Sequence, residues 1–470
     1  MKTIWLPLLA LALAPLPAGA QDARGLQQRV EARLREAGPG VRFGLVVAGE
    51  DGRPLVEIAP EGRFIPASNT KIFTTAATFA TFANLDRPDP EAGTAVRLEG
   101  SDVILEGRGD ARLSSGSDCT VDCLATLADA VAAKVRKVRD VIGDDVYFPD
   151  QRWSAGMSWN NIPTRSGTAA SALTLDDNEL AATVTPGAAG NPPAVELAPY
   201  YTIDNRAVTV TGGSTNLGVD RLPGSRIVHL TGTIAAGAPP ERLGLGIDDP
   251  ADYAAWRLKA LLEARGVRVT GRILVRHRRP EQPAPAANAS PALARIVPPP
   301  LTEDLVLTNK VSQNLHAELL LRRLSRATGS GSVADGLARV RAMLERAGVT
   351  RAQVDLSDGS GMSSYNRVAP LGMVALLRWI ASQPWGAAWR STLPVAGVDG
   401  TLRNRFKGTP LEGRLFAKTG TLNASTALAG YMTARSGRTL TFSAFANDMP
   451  EDAHGSEAID AVLQMIAQAY

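Results

Sequence analysis

Two short motifs far apart in this chain must meet in space if they are to work together. Ser68 stands three positions before Lys71, and Lys418-Thr419-Gly420 occurs far downstream. The chain has only eight lysines, and Lys71 alone has a serine three positions before it. Residues three apart lie on one face of a helix, so the amine can reach the hydroxyl. The sequence therefore predicts a fold that brings these two distant segments together.

The chemistry of Ser68 and Lys71 points to nucleophilic catalysis. A serine hydroxyl is a weak nucleophile until a neighbouring group takes its proton. A lysine amine can take that proton when burial or another cation lowers its pKa. Lys418 is a candidate for this second cation and for binding a substrate carboxylate. Alone, Ser68 would be interpreted as an ordinary helix N-cap.

A third motif, Ser-x-Asn, is weak by itself and needs its position to give it meaning. The pattern occurs four times, beginning at Ser158, Ser214, Ser312 and Ser364. Ser312-Gln313-Asn314 opens the helical run 315–321, so its polar side chains are placed at a loop-to-helix junction where they can face a cleft. This copy is the one that we assign to the site.

The N-terminal segment predicts export. Lys2, the apolar stretch 4–16 and the small residues before Gln21 are typical of a secretory signal peptide over 1–20. We expect a mature protein that is periplasmic and soluble, without a transmembrane anchor. With 44% apolar and 21% charged residues the composition is that of a globular protein.

Composition also bears on partners. The formal charge is +3, and arginines are scattered without a long basic block, which disfavours nucleic acid. Histidines and cysteines show no metal-ligand spacing, so no metal or other cofactor is expected. Cys119 and Cys123, four apart, are predicted to form a local structural disulfide in an oxidising compartment.

The order of patterns along the chain predicts an α+β fold with a large insertion. Helices are predicted over 26–37, 71–83, 124–137, 252–266, 315–324, 334–347, 370–382 and 456–469. Strands are predicted over 41–47, 55–58, 96–105, 267–275, 426–433 and 439–446. A helix from each chain end should cover an antiparallel sheet, with Lys418-Thr419-Gly420 at the start of an inner strand.

Chain length and changes of pattern predict the domain boundaries. A chain of 470 residues exceeds one compact core. A catalytic domain is expected over 21–85 and 290–470, and an inserted domain over 86–182 and 249–289. A small β-rich domain, 183–248, is nested in the insertion, and the proline-rich stretch 280–300 is predicted to be a connection between domains.

At this point the chain resembles the low-molecular-mass class C penicillin-binding proteins, the D-alanyl-D-alanine carboxypeptidase/endopeptidase type. Ser-x-x-Lys with Lys-Thr-Gly is the signature of penicillin-binding proteins and serine β-lactamases. The segments 172–178, 358–363 and 393–402 also resemble blocks of this family, as does the large insertion, which in the family forms two extra domains. Ser-Gln-Asn departs from the more usual Ser-Asp-Asn or Ser-Asn-Asn but keeps both motif positions, Ser312 and Asn314. The resemblance implies a penicillin-binding, β-lactamase-like catalytic domain with helices on both faces of its sheet.

The resemblance also implies a role for each site residue. Ser68 would be the nucleophile and Lys71 its base, while Ser312 would relay a proton to the leaving amine. Substrate would be bound by Asn314, Lys418, Thr419, Gly420, Thr421 and Asp144. The substrates implied are peptidoglycan stem peptides ending in D-Ala-D-Ala, with β-lactam antibiotics as inhibitors.

Asp144 is assigned to side-chain recognition. The resemblance implies that it faces the ammonium of a diaminopimelate-like side chain. Ser364 stands where the family often has an arginine, which would have held the carboxylate of that side chain. The alternative for Asp144 is a turn-capping role at the edge of the domain.

Other functions stay open on sequence alone. A serine β-lactamase would need an added base or activated water, which no sequence feature marks. A G-x-S-x-G elbow, typical of another esterase design, is missing from the sequence. A non-catalytic wall-binding protein would not need the nucleophile.

Overall fold

The computed structural model describes residues 18–90, 92–284, 291–326 and 329–470. Most of the predicted signal peptide and part of the predicted connection 280–300 lie outside these residues. Within them, no helix is long and apolar enough to cross a membrane.

The described residues contain ten α-helices. They are α1 (Ala18–Arg35), α2 (Thr70–Thr81), α3 (Leu124–Lys134), α4 (Pro250–Ala264), α5 (Leu301–Lys310), α6 (Asn314–Arg326), α7 (Val333–Arg346), α8 (Pro370–Ala381), α9 (Gly386–Ser391) and α10 (Gly455–Ala469). Helices α5 and α9 were not predicted, because patterns of three turns or fewer give weak periodicity. The other eight overlap the predicted helices.

Twenty-one strands are present in the same residues. They are β1 (Arg42–Ala48), β2 (Pro54–Ile58), β3 (Ala95–Glu99), β4 (Asp102–Glu106), β5 (Lys137–Val138), β6 (Val141–Pro149), β7 (Glu179–Thr185), β8 (Ala194–Leu197), β9 (Thr202–Asn205), β10 (Val208–Val210), β11 (Asn216–Asp220), β12 (Ile227–Ala235), β13 (Glu241–Gly246), β14 (Arg268–Val269), β15 (Ile273–Arg278), β16 (Ala294–Arg295), β17 (Val354–Asp355), β18 (Arg367–Val368), β19 (Leu415–Leu422), β20 (Ser425–Thr433) and β21 (Thr439–Asn447). Two of the sheets, each grouped with the helices that pack on it, position the site.

The first grouping is an antiparallel sheet built from both ends of the chain. Its strand order is β19-β20-β21-β1-β2, and helices α1 and α10 cover one face with Val30 and Leu463 in a shared core. Helices α2 and α8 pack in a second core that includes Ile72 and Phe445. This arrangement confirms the predicted α+β architecture with helices on both faces.

The position predicted for Lys418-Thr419-Gly420 within this sheet is wrong. The tripeptide lies in the middle of β19, and β19 is an edge strand. An edge strand leaves one row of backbone N–H and C=O groups unpaired by the sheet. Those groups can therefore face a cleft and its occupant, which an inner strand could not offer.

The second grouping has a core of its own, drawn from residues between 96 and 296. Its sheet has the order β15-β6-β4-β3-β16, with α3 and α4 packed beside it. Strands β9–β12 form a separate four-stranded sheet, and β13-β7-β8 a three-stranded one. The domain boundaries given above stay a prediction.

The predicted strand 267–275 is also wrong, because it is two strands in two sheets. Strand β14 pairs with β5, whereas β15 pairs with β6. The turn between them is tight at Gly271, where an added Cβ would lie 2.0 Å from Asp140 Oδ1. Helix α3 ends at Lys134 rather than at residue 137, since residues 137 and 138 form β5.

Candidate active site

The candidate nucleophile lies on a tight turn immediately before α2. Ser68 is the middle residue of the short 3-10 turn Ala67–Asn69. Ala67 has a φ of +46°, in the left-handed region, and Gly361 packs so closely that a Cβ there would lie 1.9 Å from Ala67 O. Only glycine permits that approach, so the loop before β18 helps to hold the turn.

Lys71, in the first turn of α2, is completely buried. Its Nζ donates hydrogen bonds to Ser68 Oγ at 2.9 Å, to Asn314 Oδ1 at 2.6 Å and to Ser360 O at 2.6 Å. Burial lowers the pKa of Lys71 to about 7, although the carboxylates of Asp358 and Glu318 oppose this change. A lysine of this pKa is partly neutral near pH 7 and can take the proton of Ser68.

Ser312 and Lys418 form a second serine–lysine pair. Ser312 lies between α5 and α6 with a left-handed φ of +63°, and its Oγ accepts a hydrogen bond from Lys418 Nζ at 2.9 Å. Lys418 is completely buried. Its pKa is lowered well below the usual value, mainly by burial and further by the cation of Lys71.

Close packing of β19 against the nucleophile turn explains the glycine of Lys-Thr-Gly. A Cβ on Gly420 would lie 2.6 Å from Pro66 O and 3.2 Å from Asn69 N. With its amide nitrogen facing the strand, Asn69 donates to Lys418 O at 2.8 Å. Thr421, which follows the tripeptide, is exposed. The strand and the turn are therefore held in direct contact.

Asn314, the first residue of α6, is held from two directions. Its Oδ1 accepts from Lys71, and its Nδ2 donates to Ser166 O at 2.9 Å. Ser166 lies in the inserted part of the chain, in the 3-10 turn Arg165–Gly167. A segment between residues 96 and 296 therefore reaches the surroundings of Lys71 through Asn314.

Three polar residues around Lys71 were missed by the sequence analysis: Ser360, Asp358 and Glu318. Glu318 Oε1 accepts hydrogen bonds from Gly359 N at 3.1 Å and from Ser360 N at 2.9 Å, and burial raises the pKa of Glu318 to about 7. Two signals were available. Glu318 follows Asn314 by four positions on a helix, and the block 358–363 resembles a block of the family.

Asp358 fixes the loop that carries Ser360. Its carboxylate accepts from Gly361 N at 3.0 Å, from Ser363 N at 2.7 Å and from Asn366 Nδ2 at 2.6 Å. The Ser360 carbonyl is thereby held where Lys71 can donate to it. The loop is a fixed acceptor for the buried amine.

Asp144 lies apart from this cluster. It sits on β6 with its carboxylate 3.5 Å from Arg97 Nη2 and 3.7 Å from Arg276 Nη1. Burial raises the pKa of Asp144. Among the contacts of the described residues, none joins Asp144 to Ser68, Lys71 or Ser312.

The other two predicted features lie on loops. Ser364 Oγ donates to Gly156 O at 2.9 Å, so the loop 358–364 touches the insertion. Cys119 and Cys123 are joined by a disulfide in the loop before α3.

These features together define a class of protein. The site is that of a serine acyl-transferring enzyme. It combines a serine and a buried lysine at a helix start, a second serine followed by an asparagine, and a Lys-Thr-Gly tripeptide on an edge strand. The profile of the D-Ala-D-Ala carboxypeptidase 3 (S13) family matches residues 26–469, and the chain belongs to that family.

Comparisons with individual proteins agree. The chain is 35% identical over 456 residues to a D-alanyl-D-alanine carboxypeptidase of Actinomadura sp. (strain R39), covering 91% of this chain and 82% of the relative. It is 27% identical to the D-alanyl-D-alanine carboxypeptidase DacB of Haemophilus influenzae, over 82% of this chain and 80% of that protein.

A solved structure shares the fold. Penicillin binding protein 4 (dacB) from Haemophilus influenzae superposes with a TM-score of 0.77 at 22% identity, covering 93% of this chain and 97% of that one. The predicted family, fold class and enzyme class, a serine-type D-Ala-D-Ala carboxypeptidase, are therefore confirmed.

Proposed function

We propose that this enzyme hydrolyses peptidoglycan stem peptides at D-Ala-D-Ala bonds, as a carboxypeptidase and endopeptidase, through an acyl-enzyme at Ser68. Penicillins would acylate the same serine. The observation that carries the proposal is the 2.9 Å hydrogen bond between Lys71 Nζ and Ser68 Oγ, made by a buried lysine whose pKa is about 7. Nucleophile and base are already within proton-transfer distance.

In the first step Ser68 Oγ attacks the carbonyl carbon between the two D-alanines, and its proton passes to Lys71 Nζ. The negative charge that develops on the carbonyl oxygen would be stabilised by the backbone N–H groups of Ser68 and Thr421. Thr421 can supply such a group because β19 is an edge strand. The start of α2 beside Ser68 also favours negative charge there.

In the second step the C–N bond breaks, and the leaving amine needs a proton. Ser312 Oγ would give its proton to that nitrogen and regain one from the lysine pair, since Lys418 Nζ is 2.9 Å from it. The terminal carboxylate of the substrate would be held by Lys418, Thr419 and Thr421. A bound carboxylate favours the charged form of a buried lysine, so substrate would restore the cation of Lys418. Water then hydrolyses the ester at Ser68, which frees the enzyme.

The location that we propose is the periplasm. The support is the predicted signal peptide together with the peptidoglycan substrate.

The separate hydrophobic core of residues between 96 and 296 supports the predicted division into a catalytic part and an insertion. Contacts of Ser166 and Gly156 with the site suggest that the insertion borders the substrate.

A single set of incubations tests the proposal. Purified protein is treated with labelled penicillin, and separately with a peptide ending in D-Ala-D-Ala. Lasting label and release of D-alanine are expected. Rapid turnover of penicillin would instead indicate a β-lactamase, and neither reaction would indicate a binding protein. Ser117→Ala, at an exposed serine two residues before Cys119, is the matched control for Ser68→Ala.

A further inference from the structure

A buried histidine, His316, lies two residues after Asn314. His316, on α6, is 1% exposed. Its Nε2 is 2.9 Å from Asp177 Oδ1, and its Nδ1 is 3.4 Å from Asp304 Oδ1. Burial would lower the pKa of His316, but the two carboxylates raise it to about 9. The ring is therefore an imidazolium at neutral pH.

The contact with Asp304 spans the catalytic connection between α5 and α6. Ser312 lies between the two helices: Asp304 is on α5, before it in the chain, and His316 is on α6, after it. Ser312 itself has a left-handed φ of +63°, a conformation that side-chain-bearing residues seldom adopt. Such a backbone persists only where its surroundings fix it. The Asp304–His316 contact joins the two helices on either side of this strained residue.

The contact with Asp177 reaches from the insertion. Asp176, Asp177 and Asn178 have successive φ values of +52°, +55° and +50°. The Asn178 side chain fixes this turn, accepting from Leu175 N at 3.1 Å and donating to Ala169 O at 2.8 Å. A strained and internally fixed turn is thus placed against α6.

Other charged groups lie beyond the two carboxylates. Arg112 Nη1 is 3.8 Å from Asp304 Oδ1. Asp110 and Asp122 form a buried carboxyl pair. Burial raises the pKa of both, and the charge of Asp304 raises it further. Burial raises the pKa of Asp122 to about 8. Any pH dependence of His316 must be separated from that of this pair.

We propose that His316 is a positioning residue, whose charged ring ties the insertion turn 176–178 and helix α5 to α6 and so holds Ser312 and Asn314 in place for acylation. This inference rests on the roles proposed above for Ser312 and Asn314. The charged ring acts through those residues and does not touch the reacting atoms. Its contribution is present while the ring is protonated and is lost as pH rises through about 9.

The test compares Asp177→Asn with Asp176→Asn. Asparagine tolerates the left-handed backbone at both positions, and each change removes one carboxylate from the same turn. Asp176 bonds Ser115 N at 2.7 Å and Ser115 Oγ at 2.5 Å, whereas Asp177 bonds His316. Asp177 is 46% exposed, so its replacement should not prevent folding.

The readout is the rate constant of penicillin acylation between pH 6 and pH 10. The rate is divided by the amount of protein that can be labelled at saturating penicillin. Counting only labelled protein removes any effect of misfolded material. For Asp177→Asn we expect acylation to slow by about three- to tenfold, the size of one ordinary side-chain hydrogen bond, because Asp177 is 46% exposed. Its alkaline decline should begin at lower pH, because the imidazolium has lost one of two carboxylates. Asp176→Asn should follow the wild-type profile.

A second variant checks that the effect passes through His316. His316→Gln keeps a polar side chain that cannot titrate, and adding Asp177→Asn to it should then change nothing further. Coincident profiles for wild type, Asp177→Asn and Asp176→Asn would overturn the inference, and so would full additivity in the double variant. Neither result would affect the proposed function, which is tested separately by the incubations of wild-type and Ser68→Ala protein with penicillin and with the D-Ala-D-Ala peptide.

Discussion

The candidate active site and the region between residues 96 and 296 both hold basic side chains away from solvent, but they pair these side chains with different partners. Lys71 and Lys418 are completely buried, and the hydrogen bonds of their amines go to hydroxyl, amide and carbonyl oxygens rather than to carboxylates. In the region between residues 96 and 296, the partly buried His277 lies between Asp145 at 2.9 Å and Asp249 at 3.2 Å, and Arg152 Nη2 lies 3.0 Å from its Nε2.

The pKa values follow this difference. Burial lowers the pKa of Lys71 to about 7. Burial also acts to lower the pKa of His277, but its two carboxylates raise it to about 10. An unpaired buried cation can give up its proton at neutral pH, whereas a doubly paired one stays charged and acts as a structural link. Pairing with carboxylates thus separates reactive cations from structural ones.

The largest effect is expected at the reactive pair. Ser68→Ala should abolish covalent penicillin labelling while the fold is kept, because the residue is small and lies on a turn. Lys71→Ala should slow acylation by a factor of ~10² to 10⁴, the usual size of general-base catalysis. Labelling followed by mass spectrometry measures both. Full labelling of the Ser68→Ala protein would falsify the assignment of the nucleophile.

Gly420→Ala should disturb the contact between β19 and the nucleophile turn. Its Cβ would lie 2.6 Å from Pro66 O, and such overpacking typically costs about 1–3 kcal/mol. We expect a lower unfolding midpoint in urea together with slower labelling. Gly212→Ala is the control, because a Cβ there meets nothing within 4 Å. Normal labelling by Gly420→Ala would show that the strand can move without loss of function.

Glu318→Gln should change the pH dependence more than the maximum rate. The carboxylate of Glu318 raises the pKa of Lys71, so its removal should lower that pKa. Neutral Lys71 would then be available at lower pH. In a plot of acylation rate against pH, the rise on the acid side should therefore occur at a lower pH. Glu345→Gln, at an exposed position on α7, serves as the control. A rise that moves towards alkaline pH would contradict this electrostatic account.

His277→Gln tests the structural side of the comparison. Because the folded-state pKa of His277 is raised to about 10, its contribution is complete below about pH 6.5, the ordinary histidine value, and is lost as pH rises through 10. We expect the free energy of unfolding to fall by about 1–3 kcal/mol at pH 6, and by less at pH 10. Urea unfolding at both pH values measures this. Penicillin labelling at pH 7 should be unchanged, and a loss of labelling would mean that the link also serves the cleft.

The smallest effect is expected for Asp144→Ala. If Asp144 recognises the ammonium of the substrate side chain, turnover of peptides carrying that ammonium should weaken while penicillin acylation is nearly unchanged. Its contacts with Arg97 and Arg276 favour the structural alternative. Parallel kinetics with amino-bearing and N-acetylated peptides distinguish the two. Equal losses toward peptides and penicillin would remove the specificity role.

The sequence by itself determined which residues are candidates for the chemistry, and it predicted the order of most elements. Ser68 and Lys71 could be found because their spacing is local and lysine is rare in this chain. The terminal helices and the strands from both chain ends could be predicted because apolar periodicity reports local structure directly. The family followed from short motifs whose residue types the reaction requires.

Only the tertiary structure decided which groups surround those residues. The carbonyl of Ser360, the carboxylate of Glu318 and the insertion carbonyl of Ser166 reach the site from distant segments. The edge position of β19 and the division of 267–275 between two sheets depend on strand pairing, which local sequence does not specify. The pKa of Lys71 depends on burial by residues far along the chain. Burial and strand pairing are properties of the assembled fold. The chemical type of a candidate residue can therefore be read from the sequence, whereas the groups that surround it cannot.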